Sequence, residues 1–215
     1  MTPPKRVLIF AGGTITPHFK DEIRLDDYII GADYGAYFLI EHGIVPDMSV
    51  GDFDSVQPEQ LQQIQNVCKK VIIVDPVNKD LTDAELAFEM AITKQPDEIV
   101  MFGVLGSRFD HSLSNIQMMM RALQHQISCS IWDTNNHLTL TGSTATVRPL
   151  NFEYISLLPM TTQVTGITIE GFMYPLEDAT IRMGQSLGIS NKLISDVGYI
   201  RIESGLLLIV QSKVE

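Results

Sequence analysis

The chain has 215 residues, with 26 Asp and Glu against 15 Lys and Arg, a formal net charge of −11 and a pI near 4.8. A hydrophobic fraction of 45% with 19% charged residues excludes a wholly disordered chain, and the acid surplus argues against a protein that must neutralise nucleic-acid phosphates or an anionic membrane. No apolar run approaches the ~18 residues of a membrane span, no signal-peptide core precedes Gly12-Gly13, and Cys68 and Cys129 lack metal-ligand spacing, so the expectation is a cytoplasmic small-molecule enzyme.

In chain order, Arg6–Phe10, Tyr28–Ala32, Met48–Val50, Val71–Val74, Ile99–Gly103 and Ser128–Trp132 are apolar runs of strand length. They are continuous rather than alternating, as strands buried on both faces are. Helical periodicity lies between them, over 34–42, 58–67, 82–94 and 110–126. This alternation predicts an α/β domain over residues 1–134, a parallel sheet with helices on both faces, whose ligands bind at the carboxyl ends of the strands. From about residue 137 the pattern becomes period two, in His137–Thr141, Gly166–Glu170 and Gly198–Glu203. It predicts a smaller antiparallel β domain over 135–215, with one buried face per sheet and Glu203-Ser-Gly205 as a hairpin turn.

Three stretches carry candidate chemistry, each at a predicted strand end. In Gly51-Asp-Phe-Asp-Ser55, an extended chain turns Asp52 and Asp54 to one side and Phe53 to the core. Two adjacent carboxylates resist ionising together unless a cation lies between them, and a hard divalent ion such as Mg2+ suits the pair. The competing reading has Asp54-Ser55 capping the helix that Pro58 opens. In Asp80-Leu-Thr-Asp83, Thr82 and Glu85 match a capping box, which accounts for Asp83 in a first helical turn; its place at a neighbouring strand end favours a ligand role, and Lys79 supplies positive charge for phosphate. In Gly103-Val-Leu-Gly-Ser-Arg-Phe-Asp-His111, Gly103 and Gly106 admit an anion to the backbone and Arg108 can grip phosphate bidentately. His111 reads more simply as a hydrogen-bonding group at a helix start. Met118–Met120 reads as helix core, and Lys69, Lys70 and Arg121 as solvated charges. Together these describe a Mg-nucleotide cleft without a Walker A loop, adequate in kind for phosphoryl transfer.

The same residues resemble a known family. Gly31-Ala-Asp-Tyr-Gly-Ala36, Gly43-Ile-Val-Pro-Asp47, Gly51-Asp-Phe-Asp-Ser55, Lys79-Asp-Leu-Thr-Asp83, Gly103-x-x-Gly-x-Arg-Phe-Asp-His111 and Gly188-Ile-Ser-Asn191 resemble, in order and spacing, the motifs of bacterial-type thiamine pyrophosphokinases. The resemblance implies an N-terminal α/β domain, a C-terminal β-sandwich, and a homodimer with thiamine bound at the subunit interface. It implies attack of the thiamine hydroxyl on the β-phosphorus of Mg-ATP, giving AMP and thiamine diphosphate. By motif, Asp52, Asp54 and Asp83 would hold Mg2+ and, with Arg108, act in catalysis. Asp33, Lys79, Asp80, Gly103, Gly106, Arg108, Asp110 and His111 would meet ATP; Ser190 and Asn191 would contact thiamine. Two positions depart from the family pattern. Ser107 replaces the second glycine of Gly-Gly-Arg, and Lys192 replaces the glutamate after Ser-Asn, where its charge is expected to face solvent. An aromatic platform from the β domain must be Tyr or Phe, with Phe172 and Tyr199 as candidates. The readings weighed against this one are a same-fold diphosphokinase for a pterin-type alcohol, an aspartyl phosphohydrolase using Asp52 and Asp54, and a thiamine- or nucleotide-binding module without turnover.

Overall fold

The computed structural model describes residues 4–75 and 80–214 and divides into two units between Thr134 and Asn135. Strands β1 (Arg6–Phe10), β2 (Tyr28–Ala32), β3 (Met48–Gly51), β4 (Val71–Ile73), β5 (Glu98–Phe102) and β6 (Ser128–Trp132) of the first unit lie in the order β4-β3-β2-β1-β5-β6. Every neighbouring pair is parallel. Helices α1 (Tyr34–Glu41), α2 (Pro58–Val67), α3 (Asp83–Ile92) and α4 (Phe109–Gln124) connect them, so each predicted element exists within a few residues of its expected bounds.

The continuous apolar runs are strands because both faces are covered. Val7, Leu8, Ile9 and Phe10 are each fully buried. Leu8 and Phe10 join Phe102, Val100, Phe19 and Leu39 of α1 in one cluster. Their alternate neighbours Val7 and Ile9 face the other way, toward the side on which α3 lies across β1, β2 and β3. The strand order reverses between β1 and β5, which makes a crevice at the carboxyl ends of those two strands.

In the second unit, β7 (Asn136–Thr141), β13 (Leu207–Ser212) and β9 (Tyr154–Pro159) form one antiparallel sheet in the order β7-β13-β9. Strands β11 (Leu176–Arg182), β10 (Gln163–Glu170), β12 (Gly198–Arg201) and β8 (Thr144–Val147) form another, in that order. Ile155, Leu157, Leu207 and Ile209 from the first sheet pack with Val147, Val164, Ile167, Ile181 and Ile200 from the second, the shared core of a sandwich. Period two is plain in β12, where buried Gly198 and Ile200 alternate with exposed Tyr199 and Arg201. The expected hairpin at Glu203–Gly205 does not form. β12 and β13 belong to different sheets, and Ser204 instead bridges Thr165 of β10 as the chain crosses between them. A turn signal reports the local bend but not which strands it joins.

Candidate functional site

A cleft of about 880 Å³ opens where the strand order reverses, lined by the segments that leave β1, β2, β3 and β5 and by the start of α3. Asp33, Asp52, Asp54, Asp80, Asp83, Gly103, Gly106, Arg108 and His111 all line it. Asp110 is absent from the lining, and Lys79 lies outside the described residues.

The acidic wall is built from two abrupt turns. β3 stops at Gly51, and Phe53 adopts a positive φ of 58° with only 4% of its surface exposed. Its ring packs with Ala36, Val56 and Ile64, an anchor that holds Asp52 and Asp54 on either side of it in the cleft. The two aspartates therefore converge through a turn, with the Asp54 amide donating to Asp52 Oδ1 at 3.1 Å, rather than through the extended chain expected. After β2, Asp33 takes φ 51° and ψ −124°. One ligand oxygen from each of Asp33, Asp52 and Asp54 lies within 4.8 Å of the others. Asp83 and Asp33 both close on Gly51, where a Cβ would meet Asp83 Oδ1 at 3.2 Å and Asp33 Cβ at 3.3 Å; Asp83 Oδ1 also accepts the Asp52 amide at 3.3 Å. Burial raises the Asp33 carboxyl above its ordinary range, reinforced by the Asp83 and Asp54 charges and opposed by the Ser55 hydroxyl.

The helix caps decide between readings that the residue pattern left open. α2 is capped by Gln57, whose amide donates to the Gln60 side chain at 2.7 Å. Asp54 and Ser55 are therefore not needed as caps, and Ser55 instead donates its hydroxyl to Asp33 Oδ2. Thr82 does cap α3, accepting from the Glu85 amide at 3.2 Å, which sets Asp83 at the first residue of that helix.

The opposite wall is the 103–108 segment, zipped to the end of β1 by Gly13 N–H to Gly103 O at 2.7 Å and Thr14 N–H to Leu105 O at 2.9 Å. α4 holds it from below. Asn115, 6% exposed, donates to Val104 O at 2.6 Å, and Ser112 Oγ accepts the Gly106 amide at 3.1 Å. The two glycines thus differ. Gly103 is demanded by the chain packed on it, and the Gly106 amide is already engaged. Ser107 is exposed with an ordinary backbone, so this loop does not require a second glycine there. Arg108 pairs with Asp110 at 2.8 Å while its guanidinium stays largely exposed. Residue patterning missed Ser112 and Asn115; the available signal was two polar residues on the helix face that Met119 and Ala122 turn to the sheet. It also placed Arg121 in solvent, whereas Arg121 ties α4 to Glu85 and Glu89 of α3.

In the second unit, Ser190 is exposed at φ 60° and its amide donates to Ser156 Oγ at 3.0 Å. Asn191 is buried. Its side chain clamps the Tyr174 backbone, accepting from the amide at 3.0 Å and donating to the carbonyl at 2.7 Å. Lys192 turns to the surface and pairs with Glu153, over the Tyr154 ring. Phe172, 2% exposed, is part of the sandwich core and cannot be a platform; Tyr199 and Tyr174 are exposed.

Comparison with known proteins follows this division of the chain. Residues 19–131 match the family model described as thiamin pyrophosphokinase, catalytic domain, and residues 143–207 match thiamin pyrophosphokinase, vitamin B1 binding domain. The chain belongs to the thiamine pyrophosphokinase family. It is 33% identical to the thiamine pyrophosphokinase of Bacillus subtilis over 97% of this chain and 99% of that one. The B. subtilis crystal structure superposes with a TM-score of 0.91 at 32% identity, covering 98% and 100% of the two chains. The Geobacillus thermodenitrificans enzyme gives 0.87 at 30% identity over 98% of each. As a member of this family, the chain is an enzyme whose reaction is ATP-dependent pyrophosphoryl transfer to thiamine.

Proposed function

We propose that the cleft of the first unit binds Mg-ATP and that the thiamine hydroxyl attacks its β-phosphorus in line, forming the new oxygen–phosphorus bond as the bond to AMP breaks. Asp52, Asp54 and Asp83 hold the divalent ion. What supports this is that oxygens of Asp52 and Asp54 crowd together with one of Asp33, which has a buried oxygen without a hydrogen-bond partner among the described residues, while Asp83 reaches the same loop by accepting the Asp52 amide. When bound, the ion neutralises phosphate charge and polarises the transferred group. Arg108 grips phosphate and, on that event, trades its Asp110 pair for the ligand; Asp80, Gly103, Gly106 and His111 line the nucleotide's path, and Lys79 adds charge to it. Asp110 acts through Arg108.

The thiamine subsite takes Ser190, whose strained, exposed backbone points to a ligand. Asn191 contributes by holding the Tyr174 segment. The pairing of Lys192 with Glu153 removes its repulsion toward a cationic thiazolium. The protein works as a homodimer with thiamine at the subunit interface; exposed Met173, Tyr174, Ile189, Ile194 and Tyr199 supply apolar surface for a second subunit. We place the reaction in the cytoplasm; no helix among the described residues is long and apolar enough to cross a membrane.

The observation that carries this reading is the convergence of the acidic loops after β2 and β3, the start of α3 and the Arg108 loop on one cleft. Incubation with Mg-ATP and thiamine should give AMP and thiamine diphosphate in equal amounts. ADP as product, or turnover independent of thiamine, refutes it. Asp52→Asn and Asp54→Asn should each abolish turnover with the fold intact.

A further inference from the structure

We propose that Arg121 is a positioning residue of the cleft: through Glu85 it holds the first turn of α3, and with it one wall of the site, against α4, which carries the other. This rests on the cleft being the Mg-ATP site proposed above, and it adds two residues that act on the site from outside its lining.

Both walls are built by helix starts. Thr82, Asp83 and Ala84 at the head of α3 line one side of the cleft, and Arg108, His111 and Asn115 at the head of α4 line the other. α4 is fastened to its wall by the directed hydrogen bonds of Asn115 and Ser112. The buried residues of α3 are Ala87, Phe88 and Ala91, one ring and two methyl groups. Apolar burial is non-directional, so such a face resists lifting from the sheet better than it resists sliding along it.

Arg121 supplies the direction. From the last turn of α4 its guanidinium donates to Glu85 Oε1 at 2.7 Å, pairs with Glu89 one turn further along α3, and sets its Cζ 5.9 Å from the centroid of the buried Phe88 ring. A planar fork that engages two carboxylates and a ring fixes geometry in a way that a single exposed ion pair does not. The helix cap bears this out. Thr82-x-x-Glu85 is a capping-box pattern, in which the glutamate side chain returns a bond to the amide of the cap residue. In α2 both halves of the box form, between Gln57 and Gln60. In α3 Thr82 accepts the Glu85 amide at 3.2 Å, but the Glu85 carboxylate goes to Arg121, 36 residues away in sequence. The first turn thus exchanges half of its local cap for a tie to the neighbouring helix. Because the Glu85 amide also closes that cap, the tie bears directly on Thr82 and Asp83 in the cleft.

The test measures calorimetric affinity of the full-length protein for the α,β-methylene analogue of ATP with Mg2+, alongside steady-state constants and thermal unfolding. Arg121→Gln should weaken analogue binding and raise KM for Mg-ATP by on the order of tenfold, short of the hundredfold that a 1 Å misplacement at a reacting centre costs, while KM for thiamine changes by less than about twofold. Glu85→Gln, nearly isosteric and still able to cap, should do the same, and the double variant should be no worse than either single one, because the pair acts as a unit. Tm should fall by less than about 4 °C in each, the scale of one partly exposed ion-pair network. Analogue binding by both single variants within about twofold of wild type overturns the inference, as do equal losses for ATP and thiamine, or single losses that multiply in the double variant. The two readings fail separately. A wild type that binds the analogue with the help of Arg121 yet makes no thiamine diphosphate defeats the proposed reaction alone. A wild type that turns over while both variants bind the analogue normally defeats this inference alone, and a wild type that binds no analogue overturns both.

Discussion

Gly103 and Gly106 look equivalent in the residue pattern, two glycines of one anion-type loop, yet they should respond very differently to the same substitution. A Cβ on Gly103 would lie 2.2 Å from the Ala11 carbonyl oxygen and 2.9 Å from Ile15 Cγ1, at φ +67°. Neither backbone can retreat, because the Gly13–Gly103 and Thr14–Leu105 hydrogen bonds bind the two segments together. The left-handed backbone costs alanine roughly 1–2 kcal/mol and overpacking a close contact roughly 1–3 kcal/mol, so Gly103→Ala should destabilise the protein by about 3 kcal/mol. In a chain of this size that is a fall in Tm of about 6–12 °C. Gly106 has no positive φ, and a Cβ there meets only Gly13 Cα at 3.8 Å. Gly106→Ala should therefore change stability by less than about 0.5 kcal/mol. Thermal unfolding of both variants and the wild type, followed by circular dichroism without ligands, checks the pair. If Gly103→Ala melts within about 2 °C of wild type, or Gly106→Ala loses as much as Gly103→Ala, the packing argument for this loop is wrong.

Three other outcomes are expected. Asn115→Leu leaves the Val104 carbonyl buried without its 2.6 Å donor, which should cost about 1–3 kcal/mol and, by loosening the Arg108 loop, raise KM for ATP more than KM for thiamine in steady-state assays. Burial pushes the His137 imidazole down from 6.5 to about 4. The unfolded chain therefore takes up a proton that the folded chain resists, and stability is full above pH 6.5 and declines as pH falls toward 4. Urea titrations should show a loss of about 2 kcal/mol between pH 7 and pH 5 from this group, abolished in His137→Gln. Chelation of divalent cations should stop turnover, and Mg2+ should restore it; in the chelated protein, added Mg2+ should also raise Tm, because an ion that binds only the folded carboxylate cluster stabilises it by mass action.

The comparison of pattern and structure is instructive residue by residue. Buried parallel strands were legible because a strand covered on both faces must be apolar throughout, and Val7, Leu8, Ile9 and Phe10 leave no other reading. The antiparallel character of the second unit was legible for the complementary reason, since one buried face writes period two into β12. The strand partners were not legible: Glu203-Ser-Gly205 specifies a bend, and whether the bend joins two strands of one sheet or crosses between sheets depends on the shared core. In the site, the grouping of Asp52 with Asp54 was readable from spacing. The aim of Asp33, the use of Ser55 and the loop support from Ser112 and Asn115 were not, because each depends on a partner distant in sequence or on a backbone angle that no residue type dictates.

By itself, then, the amino-acid order determined the two-part division, the strand and helix inventory of the first unit, the acidic character of the cleft and the family, because these follow from local periodicity, charge count and ordered motifs. The tertiary structure decided which carboxylates share space, which glycine is sterically required, and which polar side chains serve the loops rather than the ligand. Those depend on distances between segments such as Asp33 and Ser55 or Val104 and Asn115, and packing alone sets such distances.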